Sequence, residues 1–208
     1  MRAVLEESKN VLRRTMVSRR RSLPSARCRL WSRSIQLAAL EFSQYLAARK
    51  VALYSPVENE VGTDVILTDA LENGKMVFYP KTDNGDSPWF FQISSSAELR
   101  VGRTKIPEPL GTNALSLEDR GSAQDLIVFV PGVAFDLRGY RLGRGRGWYD
   151  RVLATLKGRG IFIGLAYECQ IVDRLATETW DQQVQYVITE KRIVACDASA
   201  PHGVQDRI

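Results

Sequence analysis

Arg138-Gly139-Tyr140-Arg141-Leu142-Gly143-Arg144-Gly145-Arg146-Gly147-Trp148-Tyr149-Asp150-Arg151 is the stretch on which the reading of this chain turns. From Gly143 to Gly147 glycines alternate with arginines; two aromatic residues and an aspartate follow. Upstream, Leu126-Ile127-Val128-Phe129-Val130 is a short apolar run rich in β-branched residues and predicts a buried strand. Downstream, Val152, Leu153 and Leu156 recur at helical spacing and predict a helix beginning near Trp148. Strand, glycine-rich loop and helix in that order aim backbone N–H groups at an anion, because the first turn of a helix leaves its donors unpaired. Glycine lets the chain approach a ligand with no Cβ in the way. The arginines add fixed charge and forked donors that match phosphate oxygens. The stretch reads as a polyphosphate cradle. It is not a Walker A loop, which needs lysine followed by Ser or Thr, nor the dinucleotide fingerprint, because the glycines run G-x-G-x-G. The plainer alternative is a surface loop of glycine and arginine that contacts RNA.

A length of 208 residues allows one sizeable core, and the composition is that of a globular protein. No apolar run approaches the roughly 20 residues that span a bilayer. The charged, helix-patterned start lacks the apolar centre of a signal peptide, so a cytoplasmic location is expected. Cys28, Cys169 and Cys196 lie far apart and form neither a disulfide framework nor a metal-ligand cluster; they are expected to be reduced and partly buried. The one histidine, His202, sits in a polar segment after Pro201, which argues against histidine-built zinc sites and against Ser-His or Cys-His catalysis. Positive charge gathers at the start. Residues 1–50 hold 12 Lys or Arg against 3 Glu, so the remainder is slightly acidic to leave a net +5. Such a surplus suits a nucleic acid, an anionic membrane surface or a phosphorylated small molecule, and equally a solvated helix face.

Residues 3–20 predict a helix with Leu5, Leu12 and Met16 along it. Lys9 and Arg13, four apart, lie on one face, where an anion between them would relieve their repulsion. Ser22-Leu23-Pro24-Ser25 breaks that helix and starts a long second one, with an apolar stripe of Trp31, Ile35, Ala38, Ala39, Phe42 and Leu46. Residues 51–54 predict a strand. Thr63 predicts the N-cap of a helix carrying Val65, Ile66, Ala70 and Leu71, stopped by Asn73-Gly74. Residues 76–79 predict a strand ended by Pro80, and 89–93 another after the polar turn at 83–86. Ile106-Pro107-Glu108-Pro109 is extended. Residues 161–166, 184–189 and 193–195 complete the strands. The alternation predicts an α/β fold, a three-layer α/β/α sandwich with a mostly parallel central sheet, Rossmann-like. One domain over 1–196 is expected, followed by a frayed tail over 197–208. Ligands of such folds lie outside the carboxyl ends of the strands. Tyr54-Ser55, Tyr79-Pro80-Lys81, Val130-Pro131-Gly132 and Tyr167-Glu168 are expected to converge there.

Phe135-Asp136-x-x-Gly139-x-Arg141-Leu142-Gly143-x-Gly145-x-Gly147-x-Tyr149-Asp150, following Val130-Pro131-Gly132, closely resembles the signature of the 5-formyltetrahydrofolate cyclo-ligase (5,10-methenyltetrahydrofolate synthetase) family. Lys9-x-x-Leu12-Arg13, Asn59-Glu60-Val61-x-Thr63, Trp180-Asp181 and Val187-Ile188-Thr189-Glu190 extend the likeness along the chain. The resemblance implies an ATP- and Mg²⁺-dependent ligase that converts 5-formyltetrahydrofolate to 5,10-methenyltetrahydrofolate. In the family reaction the formyl oxygen is phosphorylated, N10 closes the ring, and ADP and phosphate are released. Nucleophiles come from the substrate, so the protein supplies positioning and charge neutralisation.

The resemblance further implies ATP contacts from Lys9, Arg13, Arg141, Leu142, Gly143, Arg144, Gly145, Arg146, Gly147, Trp148 and Tyr149, with Arg144 and Arg146 as the catalytic arginines facing the transferred phosphoryl group. Asp150 and Asp181 match the Mg²⁺ carboxylates. Glu60 matches the folate contact, with Ser55 and Trp148 lining the substrate pocket. The family often has tyrosine at 148, histidine at 180 and aspartate near 185, where this chain has Trp148, Trp180 and Gln185. A helix-dipole role for Asp150 and a surface role for Asp181 stay open beside the metal role. The implied partner is the folate, with or without a polyglutamate tail; membrane and nucleic-acid partners are not expected, and the chain is expected to be a monomer or weak homodimer. A non-catalytic folate- or RNA-binding relative of the same fold is the alternative.

Overall fold

The structure, a computed structural model, describes residues 2–81, 89–102, 105–116, 123–196 and 204–206; the turn expected at 83–86 and His202 lie outside them. Three helices, α1 (Arg2–Arg21), α2 (Ser25–Leu40) and α3 (Ser43–Ala47), precede the first strand, β1 (Lys50–Ala52). Then come α4 (Asp64–Glu72), β2 (Met76–Lys81), β3 (Trp89–Ile93), and a small pair, β4 (Leu99–Val101) and β5 (Pro107–Pro109). The second half runs β6 (Leu126–Val130), β7 (Ala134–Asp136), β8 (Arg141–Leu142), α5 (Trp148–Leu156), β9 (Ile161–Leu165), β10 (Ile171–Val172), β11 (Tyr186–Ile188), β12 (Arg192–Ala195) and β13 (Val204–Asp206).

Eight strands form the central sheet in the order β13-β12-β11-β9-β6-β1-β2-β3. Neighbours from β11 to β2 are parallel, and the strands outside them are antiparallel. Across the sheet the parallel strands stand second, first, third, fourth, fifth in chain order. That is a doubly wound order whose winding reverses between β1 and β6. Alternate residues point to opposite faces. Val51, Leu53, Ile127, Phe129, Ile163 and Leu165 pack towards α2 and α4 with Ile35, Ala39 and Ile66. Ala52, Val128, Val130 and Phe162 pack against Val152, Leu153 and Leu156 of α5. These are the three layers expected from the strand–helix alternation.

α1 belongs to neither face. It packs on a second, three-stranded sheet, β10-β7-β8, through Met16 against Val133, Ala134, Leu142 and Leu175. The β7–β8 hairpin is not foreseen from the sequence.

Other elements depart from expectation for local reasons. The second helix stops at Leu40 and restarts as α3, so Tyr45 enters the core while Leu46 is 64 % exposed; Phe42 meets the ring of Tyr186 at 4.9 Å. Thr63 does not cap α4 with its side chain; its hydroxyl donates to the Tyr54 carbonyl at 2.9 Å. The cap comes from α2, where Gln36 Oε1 accepts from the Val65 N–H at 2.8 Å. β2 runs through Pro80, because beyond Phe78 it is paired with β3 alone and one side needs no donor. In place of a tail frayed throughout, residues 204–206 form β13, paired antiparallel with β12. Among the described residues no helix is long and apolar enough to cross a membrane, and Cys28, Cys169 and Cys196 are free thiols.

Gly139, in the β7–β8 turn, has φ +87°, and a Cβ there would stand 2.2 Å from the Val184 carbonyl oxygen. Gly158 has φ +75° with open space around it. Gly139→Ala is expected to cost about 3 kcal/mol and Gly158→Ala about 1 kcal/mol, read from urea midpoints at constant slope. Equal losses would show that positive φ alone, and not the close backbone approach, governs the turn.

Candidate active site

A cavity of about 680 Å³ opens at the carboxyl ends of β1 and β6, where the winding reverses. Tyr54 and Ser55 follow β1, Pro131 and Gly132 follow β6, and Lys9 and Arg13 approach from α1. Lys9, Arg13, Ser55, Glu60, residues 141–150 and Asp181 all line this one cavity. Tyr167 and Glu168 do not: Tyr167 packs near Trp31 at 6.0 Å, and Glu168 pairs with Arg192 at 2.7 Å.

The glycine-rich loop curls because Gly145 (φ +94°) and Gly147 (φ +60°) take left-handed conformations, Gly147 serving as the N-cap of α5. The free donors of the first turn of α5 stand at its end. Arg13 Nε donates to the Gly143 carbonyl at 2.9 Å, tying the loop to α1. Leu142 packs in the core beside Met16 although it also lines the cavity. Arg144 pairs with both Glu58 and Glu60 at 3.2 Å. Arg146 is exposed and makes no ion pair among the described residues. Arg141, with 3 % of its side chain exposed, turns inward to Asp150 Oδ2 at 3.1 Å and lies 5.2 Å from the centroid of Tyr149.

The acids form two stations. Asp150, in the first turn of α5, pairs with Arg141 and accepts the Gln182 N–H at 3.4 Å. Asp181 Oδ2 accepts from Lys9 Nζ and from the Glu178 N–H, both at 2.9 Å, and Glu178 accepts from Lys9 at 3.2 Å. Burial works against the charge on Lys9, but the bonds to Asp181 and Glu178 outweigh it and hold the amine above its ordinary value. Among the described residues no group of three or more metal-binding side chains is gathered in one place. A hard cation here would take one or two carboxylates and complete its shell with ligand oxygens and water, which is the usual habit of Mg²⁺.

Glu60 lines the same cavity. Its carboxylate accepts from the Val57 N–H at 3.0 Å and pairs with Arg144 at 3.2 Å and Arg20 at 3.5 Å. Glu58 and Asn59, just before it, hold left-handed φ values of 50° and 60°, a strain of about 1 kcal/mol or more each in non-glycine residues. Ser55 donates to the Pro107 carbonyl at 2.6 Å, so its hydroxyl is already engaged. Trp148 meets Phe90 and Tyr149 edge-on at 5.5 and 4.7 Å. Trp148 Nε1, the Tyr149 hydroxyl and Arg141 Nε are buried without a hydrogen-bond partner; such atoms are costly unless something supplies one. Burial also pushes the Tyr149 phenol well up, so it stays a neutral donor. Sequence reasoning missed Arg20, which is 1 % exposed and also donates to the Gly132 carbonyl at 3.2 Å. Arg19-Arg20-Arg21 looks like a solvated charge run, and no local pattern marks its middle member.

The fold is that of a doubly wound α/β protein, with a glycine- and arginine-rich loop, a helix N-terminus and acids gathered at its switch point. Residues 5–190 match the 5-formyltetrahydrofolate cyclo-ligase family, and the chain belongs to that family. It is 31 % identical over 152 residues to the 5-formyltetrahydrofolate cyclo-ligase of Haemophilus influenzae, covering 71 % of this chain and 79 % of that one. With the cyclo-ligase of Escherichia coli K12 the identity is 28 % over 179 residues, covering 84 % and 96 %. The NMR structure of Aquifex aeolicus 5,10-methenyltetrahydrofolate synthetase superposes with a TM-score of 0.79 at 31 % identity, covering 95 % and 96 %. The synthetase from Mycoplasma pneumoniae gives 0.69 at 26 %, covering 88 % and 99 %. The family and the ligase class expected from the signature are thereby borne out.

Because Lys9 titrates above 10.5 in the folded chain, its pairing contributes stability that is fully present below that pH and is lost as pH rises through the folded value. The stability gap between wild type and Lys9→Met is therefore expected to stay constant from neutral pH to about 10 and to shrink above it. A gap that shrinks between neutrality and pH 9 would contradict this, and urea titrations across the range decide it.

Proposed function

We propose that the cavity binds ATP and 5-formyltetrahydrofolate side by side and converts the folate to 5,10-methenyltetrahydrofolate, releasing ADP and phosphate. The observation that carries this reading is the placement of the Gly143–Gly147 loop and the Glu60 carboxylate on one cavity, bridged by Arg144. The triphosphate rests on the backbone of the loop and on the first turn of α5, with Lys9 and Arg13 along its flank. The three buried, partnerless polar atoms of Trp148, Tyr149 and Arg141 suit a ligand rich in acceptors. Asp150 and Asp181 would hold Mg²⁺, which when bound would screen the charge on the phosphates.

In the reaction the formyl oxygen forms a bond to the γ-phosphorus as the bond to ADP breaks. N10 then attacks the formyl carbon, loses its proton, and the C–O bond to phosphate breaks. Arg144 and Arg146 offset the charge that gathers on the transferred group. For that, Arg144 exchanges its carboxylate partners for phosphate oxygens, which frees Glu60 to accept N–H donors of the pterin, while Trp148 and Ser55 line the ring. Folates with and without polyglutamate tails, a cytoplasmic location and a monomeric or weakly dimeric state belong to the same reading, and the free thiols suit a reducing compartment. The N-terminal cations behind an RNA-binding alternative have internal partners here: Arg13 on Gly143, Arg19 on Cys169, Arg20 on Gly132 and Glu60.

Purified protein with ATP, Mg²⁺ and 5-formyltetrahydrofolate is expected to develop the absorbance of the methenyl product. Arg144→Ala and Arg146→Ala should each lower kcat by roughly 10²- to 10³-fold, and Glu60→Gln should raise KM for the folate more than KM for ATP. Absence of product from folded wild-type protein would overturn the reading.

A further inference from the structure

Tyr149 lines the cavity, yet its hydroxyl is out of water and has no hydrogen-bond partner among the described residues. A buried phenol in that state costs stability until a ligand completes it. The ring is held in place. Trp148 meets it edge-on at 4.7 Å, and the Arg141 guanidinium lies 5.2 Å from its centroid. That guanidinium is committed to Asp150 at 3.1 Å. Tyr149 also packs against the cluster that holds Tyr54 and Val61, the residue after Glu60. The Tyr54 hydroxyl donates to the Val61 carbonyl at 2.7 Å. The charge of the Glu60 carboxylate acts on the phenols of both Tyr54 and Tyr149. The partnerless hydroxyl is therefore a neighbour of the Glu60 turn.

One edge of a pterin presents two donors, the 2-amino group and N3–H, and then an acceptor, the 4-oxo group. A carboxylate such as Glu60 accepts from the two donors and has nothing to give the oxo group. Left buried without a donor, that oxygen would cancel much of the gain. The cations around Glu60 are already claimed: Arg20 donates to Glu60 and to the Gly132 carbonyl, and Arg144 is the group that turns to phosphate. We propose that the Tyr149 hydroxyl donates to the 4-oxo group of the bound pterin and, with Glu60, reads the edge of the ring as donors followed by an acceptor. This rests on the reading of Glu60 as the folate acceptor. It gives Tyr149, which the family signature groups with the nucleotide contacts, a duty towards the folate.

Tyr149→Phe removes the hydroxyl and keeps the ring. Its thermal midpoint should equal or exceed that of wild type, because the ligand-free protein loses a buried polar atom and no hydrogen bond. 5-Formyltetrahydrofolate, tetrahydrofolate and ADP with Mg²⁺ are then titrated separately into both proteins. The variant should bind 5-formyltetrahydrofolate roughly 5- to 150-fold more weakly. Tetrahydrofolate has the same pterin edge and no formyl group, and should weaken by the same factor, while ADP binds as to wild type. The assignment is overturned if the midpoint falls, which would give the hydroxyl a structural partner, or if both folates bind as to wild type. It is equally overturned if only the formyl folate weakens, which would place the hydroxyl on the formyl group, or if ADP weakens as much as the folates. Wild-type protein that binds neither folate would overturn the folate reading of the cavity, and the role of the hydroxyl with it; that outcome is read before the variant is made.

Discussion

The guanidinium of Arg20 is almost wholly out of water and joins three segments: the end of α1, the Glu60 turn after β1 and the Gly132 carbonyl after β6. A charge in that position is tolerated only when paired, and removing one partner of such a pair costs about 3–5 kcal/mol. The seating of α1 across the strand ends therefore rests on it. Lys9, Arg13 and Met16 precede Arg20 by eleven, seven and four residues, so all four fall on one face of α1. Met16 supplies the apolar contact with the small sheet, and Arg20 fixes the far end. Lys9 and Arg13 are then delivered to the acid turn and the glycine loop. The helix α1 thus acts as one wall of the site, and Lys9, Arg13 and Arg20 of the basic surplus in the first fifty residues have an architectural role.

The cavity balances its own charge. Arg144 stands on Glu58 and Glu60, Arg141 on Asp150, Lys9 on Asp181 and Glu178. Any ligand must offer better partners than the ones it displaces, so the net gain is a difference between two sets of ion pairs. A phosphate alone would release Arg144 and leave Glu60 facing buried Arg20 with one cation fewer. A donor-rich ring alone would have to compete with Arg144 for the same carboxylate. Only the two together replace both halves of the Arg144–Glu60 pair, which physically links occupation of the two sides of the proposed site.

The layers of the fold were readable because strands such as 126–130 and 161–165 are continuous β-branched runs and the helices between them keep a clear stripe. The loop was readable because glycine and arginine alternate with no competing structural reason. What escaped lacked a local signal. The α2–α3 break contains neither glycine nor proline, so the helical periodicity of the stripe runs on through it while Tyr45 replaces Leu46 in the core. The cap of α4 lies on Gln36, almost thirty residues away. Arg20 hides in a run of like residues. Strand ends were expected to converge, but the segment after β9 turns to α2 and β12 instead, because Tyr167 finds an apolar seat near Trp31.

The stretch from Phe135 to Asp150 itself divides into scaffold and site. Asp136 has no exposed side-chain surface, and its carboxylate accepts from the backbone N–H groups of Arg138, Tyr140 and Leu175 and from the Arg138 guanidinium. A carboxylate so surrounded closes the β7–β8 turn and has no capacity left for a ligand. Phe135 is fully buried, and a Cβ on Gly132 or Gly164 would meet its ring at 2.5 or 2.6 Å. Those two glycines are therefore fitted to an aromatic ring and not to a phosphate. Only from Arg141 onward does the stretch line the cavity, and even there Leu142 also packs in the core with Met16. A motif read as one unit thus combines a buried acid that shapes a hairpin with a loop that presents cations, and the first is what holds the second at the switch point between β1 and β6.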